Sequence, residues 1–484
     1  MKKPNIRELL GAPTARERIA SRGGTYTLAL SALVLAILIA VNVLFSVLPK
    51  SLTRYDISAG KLYSVTSNTK SVVNALTDDV TIYWIVQADE EDDIIENLLD
   101  KYASLSSHIT VEKKNPDVYP TFTAQYTDAT VPNNSLIVEC GDKSRYIDYS
   151  DIYLTDVDYA TYSVAYSFDG EGAITSAIDY VTRDELPTVY VLTGHGEAEP
   201  PSAFTEQLEK ENMTYTEFSL LNEDGIPDDA SCVLIYAPES DISADEAKIL
   251  AEYVKDGGKL MLMAGPTESG TLENIYSLAE DYGVEAADGI VVEGDRAHYA
   301  FSAPYILLPD IESADITQPL IDSHYYVIVP VAQGLTVGES EDATVTTLLR
   351  TSDSAFSKLA GYSLDTYEKE DGDIDGAFAL AVDISVTGGG EMVFFTSSGM
   401  LDELYNAYSS GANLDLTMNA LSTLVGESDA VAIRTKSLSY NYLTISDSSA
   451  SVLKALMLGV FPLGFAAAGI AVISERRRRR DEQG

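Results

Sequence analysis

At 484 residues, 45% hydrophobic and 22% charged, the chain can bury more than one core and is not a disordered polymer. A formal net charge of −43 opposes any nucleic-acid role, because a polyanion is repelled at every approach. The only cysteines, Cys140 in "SLIVEC" and Cys232 in "SCVLIY", form no Cys-x-x-Cys pair; this excludes thiol redox chemistry and reads as two buried small residues rather than a disulfide.

The chain opens with a basic tail, residues 1–24, carrying Lys2, Lys3, Arg7, Arg16, Arg18 and Arg22. Residues 25–48 are uncharged and long enough to cross a hydrocarbon core of about 30 Å as a helix. They are too long for a signal peptide and end in "SVLPK" with no Ala-x-Ala site, so they read as an uncleaved anchor. A second apolar stretch, 452–474, precedes a tail at 475–484 that holds Arg476 to Arg480. The positive-inside rule puts both tails in the cytoplasm of a two-pass protein of the plasma membrane and the region between them outside. Eleven of the 32 basic and five of the 75 acidic residues lie in the tails, which leaves 21 basic and 70 acidic residues and a charge of −49 on the remainder.

After a juxtamembrane segment, 49–65, comes a small α/β domain at 66–165. Thr66 or Ser67 caps a helix bearing Val72, Val73 and Leu76, "VTIYWIV" is a strand, and Ile94, Ile95, Leu98, Leu99 and Tyr102 mark an amphipathic helix. The acidic run Asp89 to Asp93 sits at that helix's N-terminus, where the helix dipole favours it over a metal-binding use. Strands follow at "HITVEKKN", "NNSLIVECG" and "KSRYIDYS".

Residues 166–430 read as a doubly wound α/β domain. It begins with a helix carrying Ile174, Ala177, Ile178 and Val181, and continues with the strands "TVYVLTG", "TYTEFSL", "SCVLIYAP" and "KLMLMAG". Their near-continuous apolar runs suit a sheet covered on both faces. "SADEAKILAEYVKDGG" is a helix with a capping box from Ser243 to Glu246 and glycines at its end. Beyond residue 270, "LENIYSLAEDYG" and "NLDLTMNALSTLVG" are helices, while "DGIVVEG", "AFALAVDIS" and "GEMVFFTSS" are strands. A second juxtamembrane segment, 431–451, leads to the last span.

The stretch "VYVLTGHGEAEP" places Gly194, His195, Gly196 and Glu197 at the carboxyl end of a buried strand, where doubly wound sheets bind ligands. Glu199 occupies the third glycine position of a dinucleotide fingerprint, and Glu197 and Glu199 repel phosphate. Two readings stand: a ligand site or His195/Glu197 acid–base pair, and a tight turn whose His and Glu satisfy backbone groups or contact a neighbour. "DGGKLM" lacks the spacing and hydroxyl of a phosphate-binding loop, so the chain supplies no ATPase of its own. The four histidines show no zinc spacing and no cofactor is called for. Asp371, Asp373, Asp375 and Gly376 match the first half of a calcium loop, but its twelfth position is Val382, which favours a solvated turn. In the last span Gly459, Gly464 and Ala468 offer a small-residue face for close helix packing, and Pro462 is placed to bend it.

Three landmarks resemble the GldG-like auxiliary membrane subunit of ABC transporters, a family first associated with bacterial gliding motility. They are "RYDISAGKLYSVTSNTK", with Arg54, Asp56, Lys61, Tyr63, Ser64 and Thr69; "EGAITSAIDYVT" with "VYVLTGHGE"; and "YVKDGGKLMLMAG". The closing "NLDLTMNALSTLVGE" is similar to the family's Asn-x-Asp-x-x-x-Asn helix. The resemblance implies a glutamine-amidotransferase-like α/β domain and a thioredoxin-like first domain without the redox cysteines. It also implies a partner permease in the membrane and a separate cytosolic ATPase. An amidotransferase needs a cysteine on a strained strand-to-helix elbow, which neither cysteine occupies. The expectation is therefore a non-catalytic external module that docks on a permease or engages its substrate. A tethered hydrolase using His195 and Glu197, and an adhesion or sensor module, are the alternatives.

Overall fold

The computed structural model describes residues 62, 64–158, 163–221, 225–268, 270–426, 433, 436–438 and 454–481, with 32–37, 39, 40 and 43 of the first apolar stretch. The tail 1–24 and Arg54, Asp56, Lys61 and Tyr63 of the first landmark lie outside them. The chain divides into one unit, Leu62–Tyr442, and a second made of Met1–Lys61 and Leu443–Gly484.

In the first unit, a four-stranded sheet forms where the alternating apolar runs predict strands. Helix α1 (Ser67–Asn74), capped by Thr66, leads to β1 (Val80–Ile85), α2 (Asp93–Leu105), β2 (Ile109–Lys114), β3 (Ser135–Cys140) and β4 (Lys143–Ile147). The strand order is β2-β1-β3-β4, with β1 and β2 parallel and the rest antiparallel. The Asp92 carboxylate caps α2 by accepting from the backbone of Ile94 and Ile95, which gives the acidic run its structural use.

A hairpin of β5 (Tyr153–Asp158) and β6 (Ser163–Phe168) then turns the chain back into α3 (Gly170–Thr182). This corrects the sequence boundary at 166. Ile174, Ala177, Ile178 and Val181 of α3 join Trp84, Leu98 and Leu136 in the core of the small sheet, not that of the larger domain.

Among the described residues the larger sheet has ten strands, the shortest of them Asp310–Ile311. β7 (Thr188–Leu192), α4 (Ser202–Lys210), β8 (Thr214–Phe218), β9 (Cys232–Tyr236), α5 (Ala244–Lys255) and β10 (Lys259–Met263) lie where the sequence places them. They are followed by α6 (Glu273–Glu280), β11 (Val284–Ala287), β12 (Gly334–Val337), β13 (Ala343–Arg350), β14 (Ala379–Val386), β15 (Glu391–Phe395), α7 (Glu403–Tyr408) and α8 (Ala412–Leu424). The main path runs β11-β12-β14-β15-β10-β9-β7-β8, and β13 pairs with β14. β8, β7, β9, β10 and β15 are mutually parallel.

Alternation along the parallel strands feeds two cores. Leu234, Met261, Met263 and Phe395 join Phe204, Leu208 and Leu416 of α4 and α8. Val233, Ile235, Leu260 and Phe394 join Leu250, Val254 and Ile275 of α5 and α6. Removing each such side chain from water contributes roughly 2 kcal/mol, so both faces must be covered, and they are.

The end of this unit returns to its beginning. A short strand β16 (Lys436–Ser437) adds to β6, with Lys436 opposite Phe168. Lys436 Nζ lies 2.8 Å from Glu171 Oε2 and donates to the Ser64 carbonyl at 2.7 Å. The buried Glu171 carboxylate also accepts from the Thr66 backbone (2.6 Å) and the Thr69 hydroxyl (2.7 Å). The segments that follow the first apolar stretch and precede the second are thus tied together inside one unit.

In the second unit, among the described residues, one helix is long and apolar enough to cross a membrane, Leu456–Glu475. It contains a π turn, Leu456–Val460, directly before α9 (Phe461–Asp481). Pro462 lacks an N–H, and the wider turn sits beside it, with the Phe461 amide bonding to the Leu456 carbonyl. Of the span predicted at 25–48, the described residues are helical, and the rest lie outside the description.

Two stability predictions follow from these buried charges. Lys436→Met leaves the Glu171 carboxylate buried without its cation and should cost about 3 kcal/mol, with partial recovery on adding Glu171→Gln, read by denaturant unfolding of the full chain in detergent. Asp383, on β14, has its carboxyl pushed up to about 7 by burial and by Glu391, with Lys259 opposing. The folded state therefore favours the neutral acid, and this group's penalty grows as pH rises from the ordinary carboxylate range to about 7. Asp383→Asn should stabilise the chain above pH 7 by on the order of 3 kcal/mol, and that advantage should vanish near pH 4.

Candidate functional site

The Gly194–Glu197 loop leaves β7 at the carboxyl edge of the parallel sheet. From β7 the chain moves outward to β8 and then crosses to β9 on the other side, so the strand order reverses between β7 and β9. The crevice outside such a reversal is where open α/β sheets take ligands. Gly194 (φ 129°) and Gly196 (φ 78°) hold left-handed backbone, and a Cβ on Gly194 would lie 2.9 Å from the Leu221 side chain.

The His195 side chain is buried at this edge of the sheet, between two carboxylates. Its Nδ1 lies 3.0 Å from Glu197 Oε1 and its Nε2 lies 3.2 Å from Glu246 Oε2. The His195 amide donates to Glu197 Oε2 at 2.7 Å, and its carbonyl accepts from the amide (3.0 Å) and hydroxyl (2.9 Å) of Ser240, in the turn after β9. The three side chains are 7%, 3% and 6% exposed. Both ring nitrogens thus have carboxylate partners.

Glu246 belongs to the first turn of α5. Its Oε2 accepts from the Ser243 amide at 2.8 Å to complete the capping box, while Oε1 has no hydrogen-bond partner among the described residues. Burial works to raise this carboxyl, but the Ser243 hydrogen bonds and the His195 ring outweigh it and hold it below the ordinary carboxylate value. The sequence marks Glu246 as a capping residue; nothing local signals a second partner 51 residues away.

The loop has the geometry of a clamp. Among the described residues, the ring's bonds go to carboxylates and to no hydroxyl or thiol, and the Ser240 hydroxyl is spent on a carbonyl. Cys232 is fully buried inside β9, where burial pushes its thiol up, and Cys140 is half-buried in β3 with its thiol also raised by burial. Neither is a thiolate nucleophile at neutral pH.

The remaining sequence candidates fall elsewhere. Asp373 lies 3.1 Å from the ammonium of Lys358, a fully buried side chain that also meets Glu370, and Asp375 pairs with Lys369. Burial would raise the Asp373 carboxyl, yet the Glu370 amide and Lys358 keep it below its usual range. Ammonium groups thus sit where a calcium ion would need free carboxylates, and no metal-holding cluster of His, Cys, Asp or Glu exists among the described residues. Asp371 stays exposed. Gly459, Gly464 and Ala468 lie on the apolar helix, and no atom would meet a Cβ at either glycine within 4 Å.

Asn212 is a residue that sequence reading passes over. It follows α4 in left-handed backbone (φ 56°), and its amide donates to the Ser176 carbonyl (2.8 Å) and to Asp179 (2.9 Å) of α3. The Arg145 guanidinium of β4 donates to its Oδ1, so one buried amide joins the two sheets' layers.

Residues 186–388 match the ABC transporter auxiliary family, described as an ABC-type uncharacterized transport system. Residues 59–155 match a domain of unknown function. No curated protein matches significantly. Among solved structures the chain is similar to the mmIFT52 N-terminal domain, with 16% identity, TM-score 0.37, and coverage of 49% of this chain and 97% of that one. It is also similar to glutamine amidotransferases from Thermotoga maritima (9% identity, TM-score 0.29, covering 50% and 99%) and Methylobacillus flagellatus (10%, 0.26, covering 53% and 98%).

His195→Ala should leave two buried carboxylates facing each other and cost about 3 kcal/mol of stability, whereas Glu197→Gln, which keeps an acceptor for the ring, should cost closer to 1 kcal/mol. Thermal unfolding of the full chain measures both. Because the Glu246 carboxyl is depressed, its contribution is complete above the ordinary carboxylate range and is lost as pH falls through its folded value; Glu246→Gln should blunt that acid sensitivity.

Proposed function

We propose, from the match of residues 186–388 to the auxiliary family of ABC-type transport systems, that the chain is a non-catalytic, membrane-anchored external component that docks on the permease or engages its substrate. The observation that supports this reading is the pairing of His195: beside the strand-order reversal, both of its ring nitrogens lie against carboxylates, those of Glu197 and Glu246. A hydrolase built on His195 and Glu197 would need a free ring nitrogen and a nucleophile within its reach, and the geometry favours neither.

The chain crosses the plasma membrane twice, through 25–48 and 452–474, with both basic tails cytoplasmic. The Lys436–Glu171–Ser64 contacts support this topology, since they bring together the external ends of the segments leading to both spans. The order β2-β1-β3-β4, with one parallel pair, supports a thioredoxin-like first domain that has lost the paired cysteines. Gly459, Gly464 and Ala468 give the last span a small face for a permease helix. Energy comes from a separate cytosolic ATPase, because no phosphate-binding loop exists in the chain.

Affinity purification through a tag on the cytoplasmic tail, in mild detergent, should recover an ABC permease and its ATPase in stable ratio. Recovery of neither contradicts the proposal. Ser substitution of His195 that leaves complex recovery intact, after allowance for its stability cost, is the expected result for a structural clamp; abolition of a hydrolytic activity would favour the enzyme instead.

A further inference from the structure

We propose that an exposed aromatic surface formed by Phe301, Tyr305, Tyr326, Tyr367, Tyr405 and Tyr408 is the docking face of the external module, and that it receives a polypeptide surface in which Arg and Lys side chains alternate with apolar ones. The inference deepens the docking reading above, on which it rests, by naming the face and the chemistry of its partner.

The rings pack in two groups. Phe301 packs on Tyr408 at 4.7 Å between centroids and on Tyr405 at 6.5 Å, while Tyr305 packs on Tyr367 at 5.4 Å. The Tyr326 hydroxyl donates to the Tyr408 carbonyl at 2.7 Å. These are not core residues: Phe301, Tyr326, Tyr367 and Tyr408 are 49%, 52%, 45% and 53% exposed, so their apolar area contributes little to folding.

The backbone is strained to present them. Phe301 (φ 52°) and Ser302 (φ 57°) are consecutive left-handed residues, and the Ala303 amide closes the turn on the Ala300 carbonyl at 2.9 Å. A two-residue turn of this kind favours Asn-Gly, and a bulky side chain in left-handed backbone is an outlier that folding alone does not select. His324 (φ 57°), Ser410 (φ 57°) and Val331 (φ 46°) adjoin the same surface; Val331 donates to the Tyr305 carbonyl. Strain at one exposed patch, without compensating burial, marks a surface kept for contact.

Charge selects the partner. Residues 296–330 and 398–411, which carry five of the six rings, contain Asp310, Glu312, Asp315, Asp322, Asp402 and Glu403 against a single Arg296. That arginine already lies over the Tyr299 ring at 4.6 Å, an example within the chain of the contact proposed. Tyrosine faces beside carboxylates attract guanidinium and ammonium groups through the ring quadrupole and through direct ion pairing, and Tyr and Phe are favoured at the centres of protein interfaces.

The test measures binding by the purified full chain in dodecyl maltoside, so it needs no transporter. The probe is a labelled dodecapeptide alternating Arg and Leu with Gly spacers; the controls are the same peptide with Glu for Arg and a neutral hexasaccharide. Wild type should bind the Arg peptide at least tenfold tighter than the Phe301→Ser/Tyr408→Ser variant does, and tighter than it binds either control. Phe301→Asn, which suits the left-handed turn, should raise the unfolding midpoint while weakening the Arg peptide, showing that loss of binding is not loss of fold. Equal binding by wild type and the double variant would reduce the effect to general attraction to an acidic surface and overturn the proposal. Tighter binding of the hexasaccharide, or no measurable binding of the Arg peptide, would overturn it as well. Recovery of the permease with unchanged peptide binding in the variants would sink this face and leave the transporter reading standing.

Discussion

A buried imidazole gripped by two carboxylates holds the carboxyl edge of the large sheet together. The ring comes from the loop after β7, one carboxylate from that same loop and the other from the first turn of α5, while the turn after β9 is fastened to the loop's backbone by Ser240. In a low-dielectric setting none of these polar groups can be left alone, so displacing any one element exposes the other two to a desolvation cost of several kcal/mol. The constraint explains both glycines: only a chain free to take left-handed backbone at 194 and 196 can fold the His195 side chain back under its own loop.

The sheet beneath this clamp was readable because its apolar runs are continuous and its helices carry local stop and start signals, as the Ser243–Glu246 capping box shows. The antiparallel additions were harder. β13, with "ATVTTLLR", has neither an unbroken apolar run nor a clean alternation, and its identity as a strand depends on pairing with β14. Helix α3 was visible as an amphipathic helix, but its periodicity says which face is buried and not against which sheet; the β5–β6 hairpin decides that. The site followed the same rule. His195 and Glu197 are two residues apart and suggested each other, whereas Glu246 and the Glu171–Lys436 pair are contacts across 51 and 265 positions that no local pattern encodes.

The Leu62–Tyr442 unit divides its polar groups between two uses. Buried carboxylates at 171, 197 and 246 serve the fold by pairing with Lys436 and His195. Most of the acidic residues stay on the surface, where they keep the module soluble and set a field that favours cationic partners. The aromatic run around Phe301 lies within that field, so attraction over distance and shape at contact act on the same partner. Lys436 and Glu171 give this unit a fixed relation between its own two ends.

The most direct measurement is cross-linking on intact cells with a membrane-impermeant reagent that joins carboxylates to amines, followed by mass spectrometry. The account predicts cross-links from residues 62–442 to the outward loops of a multi-span permease, with none to cytosolic proteins. Cross-links confined to the chain itself, or acquired only after the membrane is broken, would contradict an external docking component.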